Sequence, residues 1–344
     1  MRKKRIRFGL IGCGVIADFH ANAILSLEED AELVGVADVR FESAQAFAKK
    51  HGVKAFASVD ELLDCPLIDV VNICTPSGFH AEAAVAAAER KKHIIVEKPM
   101  AITLPQLDAI TQAVEKNGVI LSSISQNRFM HGVAMAKQAM EDGLLGKLVS
   151  ADIYMKYNRT PEYYASGAWR GTKSIDGGGA LMNQGIHGVD LLLYLAGPVK
   201  RVSAFSKTLI HSIETEDTLS AVLEFENGAL GVVQASTSVY PGYPRRLELN
   251  GADGTIVLNE GNIERWDIRS GSRQDIVVQP AFTGGSFSTP TAINMEGHAR
   301  QFADVIRAVR TNTRPLIDLY EGRKPVELIL AIYRSAEEGR TIDL

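Results

Sequence analysis

The chain has 344 residues, 46% hydrophobic and 23% charged, with a formal net charge of −4. That length suits two domains of about 150 residues each, and the slight acidity excludes the electrostatic footprint of a nucleic-acid or anionic-membrane binder. No apolar run approaches the roughly 18 residues that would span a bilayer.

Cys13, Cys65 and Cys74 lack the paired spacing of a disulfide framework or a zinc site, so a reduced, cytoplasmic setting without a metal is expected. The basic start, Arg2-Lys3-Lys4-Arg5-Ile6-Arg7, leads into only a short apolar run. It reads as a solvated lead into the first strand rather than a targeting signal.

Residues Ile6 to Ile11 form that first strand and end in Gly12-Cys13-Gly14-Val15-Ile16-Ala17. This is the dinucleotide fingerprint with alanine last. The first glycine permits the turn, the second lets main chain meet a pyrophosphate, and the small last residue allows close helix–strand packing. A helical stretch through His20, Ile24 and Leu27 follows, which is the context the motif requires. The second strand, Ala31 to Ala37, ends at Asp38, placed to accept hydrogen bonds from ribose hydroxyls and to repel a 2′-phosphate. That favours NAD, with Arg40 nearby leaving NADP open.

Helices are then expected over Ser43 to His51, after the capping box Ser58-Val59-Asp60-Glu61, over Ala81 to Arg90, and from the cap Thr103-Leu104-Pro105-Gln106 to Asn117. Strands Asp69 to Cys74, His93 to Val96 and Val119 to Ser123 alternate with them. Such alternation predicts a parallel, doubly wound sheet that binds ligands at its strand C-termini. Thr75, Pro76, His80, Glu97 and Lys98 fall at those ends. His80 has two readings, cofactor contact or helix-start residue.

After Gln126-Asn127-Arg128 the pattern changes. A helix over Val133 to Glu141 leads to a strand, Leu148 to Tyr157, and later to long runs at Val199 to Leu209, Thr218 to Phe225 and Leu230 to Val239. Asn227-Gly228 and Asp253-Gly254 mark hairpin turns. The expected fold class is therefore α/β, a Rossmann domain followed by an α/β domain with an open, mostly antiparallel sheet. Between these strands, Gly177-Gly178-Gly179 opens a segment that reads as one helix to Leu195 and covers the sheet. On such a helix Asn183 and His187 share a face, with Asp190 three residues beyond. Helices over Asn294 to Arg310 and Tyr320 to Glu338 close the chain, after a loop at Gly284 to Pro290.

The fingerprint, Glu97-Lys98-Pro99 and Gly177-Gly178-Gly179…His187-Gly188-Val189-Asp190 together resemble the Gfo/Idh/MocA family of NAD(P)-dependent oxidoreductases. The resemblance spans essentially the whole chain. It implies a Rossmann domain over 1–124, a substrate-binding and oligomerisation domain over 125–344, and homodimers or homotetramers formed through the open sheet. It also implies hydride transfer between nicotinamide and a secondary hydroxyl of a sugar, nucleotide sugar or cyclitol. Asn183-Gln184-Gly185-Ile186-His187, preceded by Trp169-Arg170-Gly171-Thr172, resembles most the branch of nucleotide-sugar 3-dehydrogenases acting on UDP-N-acetylglucosaminuronate.

The family's catalytic lysine and histidine correspond to Lys98 and His187. Many members carry Asp where Asn183 stands, a charge that Asp190 is a candidate to replace. His187 is the expected proton acceptor, since an unperturbed imidazole titrates near pH 6.5. Lys98 would polarise the substrate oxygen, although a lysine with a lowered pKa is a competing base. Asn127, Trp169 and Arg170 join the cofactor-side candidates, and Arg159 and Tyr163 are candidates for an anionic or polyhydroxyl substrate. Plain structural readings stand beside these: His187 as a core histidine satisfied by Asn183, and Lys98 as a surface lysine. Two other functions share the fold, a redox-neutral NAD-dependent glycoside hydrolase and a dinucleotide-sensing regulator.

Overall fold

In the computed structural model, which describes residues 4–269 and 295–344, the alternating first part of the sequence forms a parallel sheet. Its strands are β1 (Ile6–Ile11), β2 (Ala31–Ala37), β3 (Lys54–Ala55), β4 (Val70–Ile73), β5 (His93–Val96) and β6 (Leu121–Ser123). They lie in the order β3-β2-β1-β4-β5-β6, every neighbouring pair parallel. The connecting helices are α1 (Val15–Leu25), α2 (Phe41–His51), α3 (Val59–Asp64), α4 (His80–Glu89) and α5 (Leu104–Asn117). The expected caps are present: the Ser58 side chain accepts the Glu61 N–H, and Thr103 accepts the Gln106 N–H. The strand order reverses direction between β1 and β4, so the loops after these two strands diverge and leave a crevice for a ligand.

Contacts divide the chain into two units: the described residues of Met1–Gln126 with Asn294–Arg323, and those of Asn127–Ile293 with Lys324–Leu344. A boundary at residue 125 would put everything after it in the second domain. The late helix α9 (Met295–Thr311) belongs instead to the first unit. Its Phe302, Val305 and Ile306 complete the core around Phe8, Ala17 and Ala21, with the Phe8 and Phe302 ring centroids 6.0 Å apart. Apolar burial decides the assignment here, and chain order does not.

The second unit begins with helix α6 (His131–Glu141), strand β7 (Leu148–Lys156) and the short helix α7 (Pro161–Ala165). After helix α8 (Ile186–Ala196) come β8 (Val199–Lys207), β9 (Thr218–Phe225), β10 (Leu230–Ser236), β11 (Arg246–Gly251), β12 (Gly254–Asn259) and β13 (Asn262–Ile268). Helix α10 (Leu319–Glu338) and strand β14 (Ile342–Asp343) end the chain. The sheet runs β13-β12-β11-β7-β10-β9-β8-β14, antiparallel throughout except for the parallel pair β7 and β10. Asn227-Gly228 makes the β9–β10 hairpin, with Gly228 at φ 85°. Helix α8 packs on β7 and β11, burying Ile186, Val189, Leu192 and Leu193. The loop expected at Gly284 to Pro290 lies outside the described residues.

One element departs from expectation. The stretch from Gly179 to Leu195 is a π-helical turn, Ala180–Gly185, followed by α8. The amides that a helix start leaves without partners are taken here by groups from elsewhere in the unit. Gly179 and Leu181 donate to the Glu216 carboxylate at 2.9 and 2.8 Å, Ala180 donates to the Glu216 carbonyl at 2.9 Å, and Met182 donates to the Tyr333 hydroxyl at 3.1 Å. A Cβ on Gly179 would overlap the Glu216 carbonyl. The bare backbone anticipated from Gly177-Gly178-Gly179 therefore serves, at Gly179, an internal packing partner.

Candidate active site

The loop after β1 shows what each glycine is for. Gly12 has φ +92°, and a Cβ there would meet the Cys74 carbonyl at 2.8 Å. Gly14, the residue before α1, has open space where its Cβ would be. Packing within the protein does not require glycine at Gly14, whereas a pyrophosphate drawn to the α1 N-terminus does. Val15 is exposed and Ile16 half-buried on the first turn, while Ala17 is buried against the sheet.

Asp38 is oriented by main chain: its carboxylate accepts the Cys13 N–H at 2.8 Å and the Arg40 N–H at 2.9 Å. The Arg40 residue itself is exposed. Burial, then Asp38 and Asp18, push the Cys13 thiol up to about 12, so it stays protonated. On the loop after β4, the Thr75 hydroxyl is buried with no hydrogen-bond partner among the described residues, an orphan that a bound cofactor would satisfy. Pro76 precedes a 3₁₀ turn, Ser77–Phe79, and its carbonyl accepts the Phe79 N–H at 3.0 Å. Open space at Gly14, the oriented acid and the orphan hydroxyl fit a dinucleotide.

Lys98 sits half-buried after β5, between two buried neighbours. Glu97 is 5% exposed, its carboxylate meeting His20 Nε2 at 2.9 Å and accepting the Lys98 N–H at 3.0 Å. His80 is 1% exposed, with Nδ1 2.7 Å from the Pro99 carbonyl and Nε2 2.8 Å from the Thr75 carbonyl. Burial lowers the His80 pKa while both carbonyls oppose that shift. These contacts give Glu97 and His80 an architectural place around Lys98, and His80 is also the first residue of α4. Among the described residues, His20, Glu97 and His298 bring ligand-type atoms within 4.8 Å of one another. The direct His20–Glu97 contact has hydrogen-bond length, so the group reads as a hydrogen-bonded cluster rather than a coordination shell.

In the second unit the candidates form a side-chain network. Arg159, 5% exposed, donates through Nε and Nη2 to Gln184 Oε1 at 3.1 and 2.8 Å. Gln184 Nε2 reaches the Tyr163 hydroxyl and Asn183 Oδ1, both at 2.7 Å. Arg170 donates to the same Tyr163 hydroxyl at 2.7 Å and lies over the Tyr163 and Trp169 rings, 4.3 and 4.5 Å from their centroids. Asn183 Nδ2 donates to Asp176, a carboxylate 2% exposed whose other oxygen accepts the Gly171 N–H at 2.8 Å. His187 is half-buried on the first turn of α8, and Asn127 lies half-buried in a 3₁₀ turn at the start of the unit, its carbonyl accepting the Met130 N–H at 3.2 Å.

Comparison with known proteins places this geometry. Residues 6–125 match the model of an oxidoreductase family with an NAD-binding Rossmann fold, and residues 133–257 match the GFO/IDH/MocA C-terminal domain. The WlbA dehydrogenase of Bordetella pertussis, solved with NADH and UDP-GlcNAcA, is 33% identical with a TM-score of 0.90, each chain covering 99% of the other. The chain belongs to the Gfo/Idh/MocA family.

It is an NAD-dependent oxidoreductase of that family. It is also 29% identical to myo-inositol 2-dehydrogenase of Thermotoga maritima over 98% of both chains, and 30% identical to the uncharacterized oxidoreductase YrbE of Bacillus subtilis over 74% of each. Asp190, three residues beyond His187, has a buried partner of its own. It is 1% exposed and paired with Arg128, whose Nη2 lies 2.7 Å away and whose Nε is 3.0 and 3.1 Å from its two oxygens. The carboxylate beside Asn183 is Asp176. Sequence reading missed Asp176 and the bridging role of Gln184, because neither is signalled by spacing along one helix. Gln184 does adjoin Asn183 in the motif, which was the available hint.

Proposed function

We propose that the protein transfers hydride between NAD and a secondary hydroxyl of an anionic nucleotide sugar, with Lys98 and His187 handling the substrate oxygen. The observation that carries this reading is the pair of cations, Arg159 and Arg170, joined through Tyr163 and Gln184 to Asn183, four residues before His187. Burial lowers the Arg159 pKa, opposed by Tyr163, Tyr157 and Tyr164. A desolvated guanidinium gains most from an anion, and a sugar carboxylate or diphosphate offers one. The UDP-GlcNAcA held by the Bordetella relative has both groups.

When bound, the nicotinamide supplies the hydride acceptor. His187 accepts the hydroxyl proton as the carbon is oxidised. Lys98 donates a hydrogen bond to the same oxygen and stabilises its developing negative charge. Asn183, which carries no charge, orients a ring or a substrate hydroxyl. The outer face of the eight-stranded sheet, where Phe205, Val222 and Leu230 are exposed, is the surface through which copies would pair.

The test is nicotinamide absorbance with NAD and a panel of acidic and neutral UDP-sugars, free sugars and inositols, with Lys98→Met alongside. The highest kcat/KM with an acidic UDP-sugar, abolished in the variant, supports the reading. Preferred turnover of an inositol would overturn the substrate assignment, and an active Lys98→Met would overturn the role of Lys98.

A further inference from the structure

We propose that Glu97, held by His20, is a positioning residue for Lys98 and the buried counter-charge that keeps its side chain an ammonium. This rests on the proposed role of Lys98 and decides between its two chemistries, leaving His187 as the base.

The geometry is one of fixation on both sides. The Glu97 N–H donates to the Ile73 carbonyl at 3.0 Å, and one carboxylate oxygen accepts the Lys98 N–H at 3.0 Å. The other oxygen meets His20 Nε2 at 2.9 Å, while His80 holds the Pro99 carbonyl at 2.7 Å. His20 is fully buried, and its Nδ1 has no hydrogen-bond partner among the described residues. Nε2 is therefore the ring nitrogen that donates to the Glu97 carboxylate. The T-shaped contact of the His20 ring with Phe302, centroids 5.3 Å apart, fixes the imidazole in turn.

Charge points the same way. Burial opposes ionisation of Glu97, yet its hydrogen bond to His20 and the charges of His20, His298 and Lys98 bring its pKa down to about 2. The other titratable groups that sense it are His80, whose pKa burial lowers, and Cys74, whose thiol burial pushes up. The groups that hold the Glu97 carboxylate ionised are His20, His298 and Lys98. Lys98 is among the charges that hold the Glu97 pKa down, and such coupling is mutual, so the carboxylate favours the ammonium in turn.

Competitive labelling of amines with 1-fluoro-2,4-dinitrobenzene, read peptide by peptide across pH, measures the Lys98 midpoint without any turnover. Glu97→Gln is expected to lower that midpoint by about one pH unit while NAD binding, followed by calorimetry, is retained. Glu97→Asp keeps the charge but withdraws it by one methylene, so it should give a smaller fall; it stands in if the glutamine variant does not fold. His20→Leu should reduce kcat by about 10-fold with little change in the KM for NAD, and His20→Gln, which keeps a donor on Glu97, should recover much of that loss. An unchanged or raised Lys98 midpoint in both Glu97 variants overturns the counter-charge, and a His20→Leu kcat equal to wild type overturns the positioning. Failure of the proposed function shows separately, as normal turnover by Lys98→Met.

Discussion

In the first unit main chain supplies many of the polar contacts of Asp38, His80 and Glu97, and His20 adds a side-chain partner to Glu97. Glu97 receives an amide, His80 reaches two carbonyls, and Asp38 is aimed by two amides. Around Asn183 the contacts run from side chain to side chain, through Asp176, Gln184, Tyr163, Arg159 and Arg170. The two buried glutamates run the other way. The Glu97 pKa falls against burial through its hydrogen bond to His20 and the charges around it, whereas Glu216 is raised by burial that the Leu181 and Gly179 amides and the Tyr333 hydroxyl only partly offset. A cofactor common to many enzymes can be served by a backbone frame that tolerates little change. A substrate particular to one enzyme calls for side chains that can be exchanged one at a time.

The largest expected effect tests the proposed chemistry. His187→Ala should lower kcat by about 10²- to 10⁴-fold if the imidazole is the general base, with NAD binding retained. Near-wild-type turnover at saturating substrate would remove His187 from that role. Next in size is Gln184→Ala, which takes the acceptor from Arg159 and the donor from Tyr163 and Asn183. Leaving a buried guanidinium without that acceptor costs about 1–3 kcal/mol in stability, visible as a lower Tm. On the proposed function, in which the network binds the sugar, its kinetic mark should be a KM for the sugar raised by about 10-fold with a smaller change in kcat. A loss of kcat as large as that of His187→Ala would erase the distinction between a binding network and the reacting groups.

The same contrast governs what could be read from the sequence. The places of Gly12, Gly14, Asp38 and Lys98 in the fold were legible because a dinucleotide fold sets them by position along the chain: a turn, a strand end, a rigid dipeptide. The alternation that builds the parallel sheet, and the Asn227-Gly228 hairpin, were legible for the same local reason. Helix α9 was harder, because only the burial of Phe302 over Phe8 assigns it to the first unit. The π turn was hidden too. It accompanies acceptors on Glu216 and Tyr333, far along the chain from the Gly179 to Met182 amides that they receive. Asp190 illustrates the limit of spacing. Its place three residues from His187 offers a charge or a local backbone contact, and nothing in that spacing signals the buried pair with Arg128.

A pH titration of stability sharpens the comparison at Glu97. Its pKa falls from 4.5 to about 2 on folding, so the stability it adds is full above its unfolded value and is lost as pH falls toward 2. Glu97→Gln should therefore flatten the acid limb: urea midpoints of variant and wild type should converge as pH is lowered from 5 to about 3. A constant difference across that range would mean the carboxylate's charge does not contribute. Glu216 has the opposite sign. Its raised pKa means that the penalty for holding it ionised is relieved as pH falls, so wild-type acid sensitivity should not trace to that residue.

The smallest expected effect lies at Asp38, where the frame is all main chain. With both oxygens already holding amides at 2.8 and 2.9 Å, the carboxylate keeps further lone pairs for ribose hydroxyls and a full charge against a 2′-phosphate. Asp38→Asn keeps one acceptor oxygen and removes the charge. It also turns an NH₂ group toward the N–H of Cys13 or Arg40, which loosens the loop. The ratio of kcat/KM for NAD over NADP should fall by about 10-fold, roughly 1.4 kcal/mol, helped by the exposed Arg40 side chain that could then meet the phosphate. If the ratio holds while both cofactors weaken equally, Asp38 braces the loop and selectivity comes from elsewhere. Selectivity and loop order would then be separate properties of one backbone frame.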